Sequence, residues 1–335
     1  MPERLHLARF MTDARLSTDA ADSTSPSARN VEADSAEQGR DDKIKETLMQ
    51  QILAATDFST RSHRALRRAG LLARERDAVL TLVHVVEDDQ PRSLIELERR
   101  EASKFLDEQI HSLAELRGVR CSFLLADGAA FDGILQTAKI SSAALIVMGS
   151  HRRQLLRDVF IGTTIERVIR RGTYPVLMVN NAVDHPYERV LAATDMTEVS
   201  AWSIRISEAL GMTDNANFAL VHAFSALTAT KMTLGDASAD SINAHVDEER
   251  LKANADLSAF IEANQFSAEK WSRHVEPGTP FEVISRVVQE KMPDLLILGT
   301  HGRAGIAKFF LESVAEKALS ALDVDILVVP RSDKS

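Results

Sequence analysis

The chain has 335 residues, of which 44% are hydrophobic, with a formal net charge of −9 and a single cysteine. That length accommodates about two domains with a core each, and the acidic balance, without an extended Lys/Arg run, argues against the basic face that nucleic-acid binding needs. Cys121 has no second cysteine to pair with, which fits a reducing, cytoplasmic setting; no run approaches the roughly 18 apolar residues of a membrane span, and the N-terminus lacks the apolar stretch and cleavage site of a secretory signal.

Residues 1–45 are rich in Ser, Asp, Glu, Ala and Arg and show little apolar periodicity. Such a segment buries too little to offset its ordering entropy and reads as a disordered tail. From Gln51 the chain becomes a series of short apolar strands, expected near 51–56, 79–86, 119–126, 144–149 and 175–180. They are continuous and rich in Val, Leu and Ile, as strands buried on both faces are. Ala65, Leu66, Ala69, Leu72 and Ala73 recur at helical spacing between the first two strands. Further helices fit 94–116, 131–138 and 162–171. Cys121 opens the apolar run to Leu125, so its thiol is expected in the core. Strands alternating with helices of this length imply a parallel, doubly wound sheet.

The pattern then repeats. Ile52-Leu53-Ala54-Ala55-Thr56-Asp57 returns 138 residues on as Val190-Leu191-Ala192-Ala193-Thr194-Asp195, and Leu82-Val83-His84 returns as Leu220-Val221-His222 at the same offset. Ile146-Val147-Met148-Gly149-Ser150-His151 returns 150 residues on as Leu296-Ile297-Leu298-Gly299-Thr300-His301, and Val176-Leu177-Met178-Val179 as Ile326-Leu327-Val328-Val329. The second copy therefore holds 12 extra residues, placed between Ser225 and Asn243 as a longer polar loop. The expected domains are 46–181 and 188–331, and the short linker Asn180–Tyr187 sets them side by side.

In an open parallel sheet, ligands bind beyond the carboxyl ends of the strands. Ala55-Thr56-Asp57, His84-Val85 and Met148-Gly149-Ser150-His151 all arrive there in the first copy. The loop after the fourth strand leads into Gly162-Thr163-Thr164 at an expected helix start, where free N–H groups and the helix dipole favour a phosphate.

These residues resemble the universal stress protein family, over roughly 51–180 and 188–331. The resemblance implies two doubly wound five-stranded domains of Rossmann-like, adenine nucleotide alpha hydrolase-like fold, paired through their last strands as an intramolecular pseudo-dimer. Covering two apolar edge strands in this way removes an aggregation hazard. It also implies ATP or AMP as ligand. Nucleotide-binding members carry Gly, two residues, Gly, nine residues, then Gly and Ser or Thr after the fourth strand, with an Asp at the end of the first strand facing the adenosine part. On that pattern the first-copy site comprises Ala55, Thr56, Asp57, His84, Val85, Met148, Gly149, Arg152, Gly162, Thr163 and Thr164. The second copy offers a degenerate site of Thr194, Asp195, Gly299, Gly302, Glu312 and Ser313.

Both copies depart from the pattern. Arg152 stands where the second glycine belongs, yet as a cation it can itself pair with phosphate. Glu312 puts a carboxylate at the expected phosphate position. Two like charges about 4 Å apart repel by about 4 kcal/mol at an effective dielectric of about 20, so Glu312 is expected to fill the second site with the protein's own anion.

Plainer readings stand beside these. Asp57 and Asp195 can simply cap the following helices, Gly149 and Gly299 can be turn glycines, and Arg152-Arg153 a solvated loop pair. His84, His151, His222 and His301 lack metal-ligand spacing, so no metal is expected. Nucleophile-elbow, Walker and zinc-protease motifs are absent from the sequence. The expectation is a non-catalytic, nucleotide-responsive stress protein. A nucleotide-free scaffold or partner-binding protein, including a homo-oligomer, is the alternative, and a slow nucleotide hydrolase a third.

Overall fold

The structure, a computed structural model, describes residues 51–150, 163–182, 185–225, 238–267, 271–300 and 313–331. The expected tail, with Arg152, Gly162, Gly302 and Glu312, lies outside the described residues.

The first half runs β1 (Gln51–Ala55), α1 (Thr60–Arg76), β2 (Val79–Val86), α2 (Arg92–Ser112), β3 (Arg120–Asp127), α3 (Ala130–Ile140), β4 (Leu145–Gly149), α4 (Thr164–Arg171) and β5 (Val176–Val179). The second half repeats it as β6 (Arg189–Ala193), α5 (Glu198–Ala209), β7 (Asn217–Phe224), α6 (Ala239–Ala263), β8 (Ser272–Pro277), α7 (Pro280–Lys291), β9 (Leu295–Gly299), α8 (Val314–Ala321) and β10 (Asp325–Val329). The helix expected over 94–116 stops at Ser112. Leu113 turns extended and buries its side chain, and Ala114–Leu116 form a 3-10 turn. The extra length of the second copy falls between β7 and α6, where 226–237 lie outside the described residues. The last part of the expected loop, 239–243, is instead the first turn of α6, because the Ser238 side chain accepts a hydrogen bond from the Ser241 N–H and caps it.

The ten strands form one sheet in the order β3-β2-β1-β4-β5-β10-β9-β6-β7-β8. Every pairing is parallel except the seam, where β5 and β10 run antiparallel with Leu177 opposite Leu327. The two doubly wound halves thus pair through their last strands within one chain. Strand order reverses between β1 and β4, and again between β6 and β9, so each half has its switch point there.

Strand alternation divides the core into two layers that both cross the seam. Ile52, Ala54, Leu82, Leu177, Leu327 and Ile297 face α1, α2, α5 and α6. Leu53, Val83, Met178, Ile326 and Leu296 face α3, α4, α7 and α8. Interior strands are covered on both sides, which is why they read as continuous apolar runs. β3 departs from that expectation. As an edge strand with a single neighbour it buries Cys121, Phe123 and Leu125 only partly and leaves Leu124 40% exposed. Cys121 is therefore half-buried rather than a core thiol, though burial still pushes its pKa up to about 12.

The seam is closed by polar contacts. The Asp325 carboxylate, fully buried at the start of β10, accepts hydrogen bonds from the N–H groups of Asn180 and Asn181 at 2.9 and 3.0 Å and from the Tyr187 hydroxyl at 2.9 Å. Arg68 of α1 lies 3.5 Å from the same carboxylate, stacks 4.0 Å over the Tyr187 ring and donates to the His185 carbonyl at 2.8 Å. Arg76 pairs with Asp214 across the same boundary.

Candidate functional site

Beyond the carboxyl ends of β1, β2 and β4, at the first half's switch point, lies a cavity of about 230 Å³. Its wall includes Ala55, Thr56, Asp57, His84, Val85, Met148, Gly149, Thr163 and Thr164, so all the first-copy residues expected from sequence and described in the structure converge. Ser59, Arg61 and Ser62 from the start of α1, Val83, Ser150, and Ala130, Ile134 and Ile165 complete it. Ser150 belongs to the strand end expected there, whereas the α1, α3 and α4 residues of this set are not among the expected site residues. For α1 the signal is legible, since Ser59 lies just before the first apolar-periodic residues and is a helix-start residue.

The first wall is a tight turn after β1. Phe58 has φ 59°, a left-handed conformation costing a non-glycine residue roughly 1–2 kcal/mol. The Thr56 hydroxyl accepts from the Phe58 N–H at 3.0 Å and lies 3.1 Å from the Ser62 hydroxyl. Asp57 does not cap α1. Ser59 does, accepting from the Ser62 N–H, while Asp57 accepts from the Ser59 N–H at 3.0 Å and remains exposed at the cavity. Burial raises the Asp57 carboxyl, but hydrogen bonds from Ser59 and Ser62 outweigh it and hold the group below its ordinary value. The carboxylate is thus ionised at neutral pH.

His84 is buried at the end of β2. Its Nδ1 lies 2.9 Å from the Thr56 carbonyl, which can only accept, so Nδ1 carries the proton. Nε2 faces Glu98 of α2 at 3.8 Å, and the Phe58 ring packs 4.3 Å away. Gly149 is not a turn glycine. A Cβ there would lie 2.6 and 2.7 Å from the Arg61 carbonyl carbon and oxygen, so its absence lets the end of β4 touch the first turn of α1. Thr163, which also lines the cavity, is the N-cap of α4. Its hydroxyl accepts from the Glu166 N–H at 3.3 Å, so part of its bonding capacity serves the helix.

The second half reproduces the frame with different contents. Met196 repeats the left-handed turn with φ 61°, and His222 Nδ1 lies 2.8 Å from the Thr194 carbonyl. Thr197, not Asp195, caps α5. One oxygen of Asp195 accepts from the Thr197 N–H at 3.2 Å, the Thr197 hydroxyl at 2.6 Å and the Ser200 hydroxyl at 2.6 Å. Gly299 is again a close-approach position, with Val199 Cγ1 2.8 Å from where a Cβ would stand. Ser313 caps α8 and accepts from the Glu316 N–H at 3.1 Å. Among the described residues no group of three or more His, Cys, Asp or Glu side chains is placed to hold a metal ion, and no helix is long and apolar enough to cross a membrane.

Comparison with known proteins gives this duplicated frame a family. The profile of the Universal stress protein family matches twice, over residues 49–180 and 186–330. Universal stress protein E of Salmonella typhi is 25% identical over 207 residues, covering 59% of this chain and 64% of that protein. The chain thus spans under two thirds of the length of that relative. The Universal stress protein E homolog of Haemophilus influenzae is 24% identical over 249 residues, 72% of this chain and 79% of that protein. Among solved structures, a universal stress protein from Archaeoglobus fulgidus superposes with a TM-score of 0.63 at 16% identity over 84% of this chain and 99% of that one. A putative universal stress protein from Pseudomonas aeruginosa gives 0.57 at 20% identity over 86% and 95%. With two family matches spanning nearly all of the sheet, this chain belongs to the universal stress protein family, as a tandem of two such domains.

Proposed function

We propose that the first half is the adenine-nucleotide-binding module of a non-catalytic stress-response protein, taking ATP or AMP, and that the second half is its structural partner. The observation that carries this reading is the cavity at the first switch point, where Asp57, Gly149 and the N-cap Thr163 of α4 meet. Strand ends supply a carboxylate for hydroxyl groups, and a helix start supplies N–H groups for phosphate.

The two halves differ in charge. The first turn of α1 has no acidic residue and carries Arg61, whereas α5 begins with Glu198. In the second half Asp195 is occupied by three donors from its own turn, and the sequence places Glu312 beside the N-cap Ser313. Both features disfavour an anionic ligand there. The non-catalytic reading rests on the cavity wall. His84, the imidazole among its described residues, has Nδ1 committed to a backbone carbonyl, and the Ser59 and Ser62 hydroxyls beside Asp57 serve the turn itself, Ser59 as the cap of α1 and Ser62 donating to the Ser59 carbonyl at 3.0 Å.

The test is to denature the purified protein, identify any released nucleotide, and titrate ATP by calorimetry. Released adenine nucleotide or micromolar binding, abolished by Asp57→Ala, supports the reading. A folded protein that binds none sinks it in favour of a nucleotide-free scaffold. That second reading draws on the buried β5–β10 seam, which already uses the last strands for association.

A further inference from the structure

Helix α1 carries six arginines. Five have partners. Arg64 donates to the Asn180 carbonyl at 2.7 Å, Arg67 pairs with Glu115 at 2.6 Å, Arg68 lies against Asp325, Arg74 donates to the Glu115 carbonyl at 2.9 Å and Arg76 pairs with Asp214. The sixth, Arg61, makes no hydrogen bond or ion pair among the described residues, and it alone of the six lines the cavity.

Its position is fixed. The close approach at Gly149 seats the Arg61 backbone on the end of β4, in the first turn of α1, and Arg61 lines the cavity together with Thr163. Asp57, the carboxylate that also lines the cavity, accepts from the Ser59 N–H at 3.0 Å and makes no ion pair with Arg61. The second half makes the contrast. The residue 138 positions on is Val199, whose methyl packs at Gly299, and its neighbour is Glu198 rather than Thr60. The same frame therefore presents a guanidinium uncommitted among the described residues in one half, and an apolar group beside a carboxylate in the other. Such a guanidinium is suited to bind an external oxyanion, in bidentate fashion where the oxyanion is a phosphate.

We propose that Arg61 is the specificity-determining residue of the first-half site, pairing with the phosphate chain and so selecting charged nucleotides over the nucleoside. The inference rests on the nucleotide reading above. The experiment is calorimetric titration of the full chain with ATP and, separately, with adenosine, for the unaltered protein, Arg61→Ala and Arg61→Lys. The expected result is a loss of tenfold or more in ATP affinity for Arg61→Ala, an intermediate loss for Arg61→Lys, and adenosine affinity unchanged within twofold. The unchanged adenosine affinity also shows that the variants fold. Equal weakening of both ligands, or no weakening of ATP, overturns the role of Arg61 and leaves the nucleotide reading standing. If neither ligand binds the unaltered protein, the nucleotide reading fails and the inference falls with it.

Discussion

Two glycines of the first half lack a side chain for different reasons. Gly118 has φ 78° with nothing within 4 Å of the place a Cβ would occupy, so alanine there meets only backbone strain. At Gly149 the obstacle is the Arg61 backbone at 2.6 Å, which cannot rotate away as a side chain would. Gly149→Ala should therefore force α1 and β4 apart, costing about 1–3 kcal/mol in urea unfolding, and weaken ATP binding by displacing Arg61. A variant as stable as the parent would show that the contact yields freely. Asp294 gives a pH-dependent prediction. It accepts from the N–H groups of Glu188 and Arg189 at 3.0 and 2.9 Å and from the Arg189 guanidinium at 2.8 Å. Burial raises its pKa, but these donors outweigh it and the net direction is downward. A depressed folded value means that Asp294 stabilises the fold above its ordinary value of about 3.9 and loses that contribution as pH falls through the folded value. Asp294→Asn should flatten the fall in stability below about pH 4, and an unchanged acid profile would count against it.

At the scale of elements, α4 and α8 start alike, with Thr163-x-x-Glu166 and Ser313-x-x-Glu316 each forming the N-terminal cap hydrogen bond. Thr163→Ala should cost about 1 kcal/mol in thermal or urea unfolding by removing that cap, with any effect on ATP affinity read separately against Arg61→Ala. A stability unchanged within a few tenths of a kcal/mol would mean that the cap contributes nothing. Interior strands, the helical stripe of α1 and the repeat are legible in the sequence because burial on both faces leaves an apolar run, and burial on one leaves a periodic stripe. β3 is legible as a strand but not as an edge, because Cys121-Ser122-Phe123-Leu124-Leu125 has the composition of a central strand, while its edge position depends on strand order, which local composition does not encode. The site is legible where strand ends carry it, at Asp57, His84 and Gly149. It is less so at Arg61, whose significance lies in having no partner among the described residues when the five other arginines of α1 do.

The whole molecule depends on the β5–β10 seam, and there the two halves are not equivalent. Arg68 and Asp325 are 3% and 0% exposed. Their counterparts by the internal offsets, Ile206 and Pro175, cannot form the pair. One side of the pseudo-dimer is thus held by a buried polar cluster that the other lacks. Burial holds the Asp325 carboxyl above its ordinary value despite Arg68, two N–H groups and the Tyr187 hydroxyl. Burial, and then the Asp325 charge, raise the Tyr187 phenol well above its own. Such a pair adds little net stability, yet breaking it is costly, because each partner alone is a charge without compensation in a dry site. Arg68→Met and Asp325→Asn should each destabilise the protein by about 3–5 kcal/mol. The double variant should recover much of that loss, since the introduced amide retains an acceptor for Tyr187 or the linker N–H groups and no buried charge remains. The singles should also associate in a concentration-dependent way, because loosening the seam exposes Val176–Val179 and Asp325–Val329 as apolar edges. Urea unfolding of the four proteins with sedimentation at two concentrations measures both effects. A coupling of at least about 1 kcal/mol, with self-association confined to the singles, is the expected pattern; strictly additive losses would mean that the cluster is incidental and that apolar pairing of the last strands alone holds the two halves together.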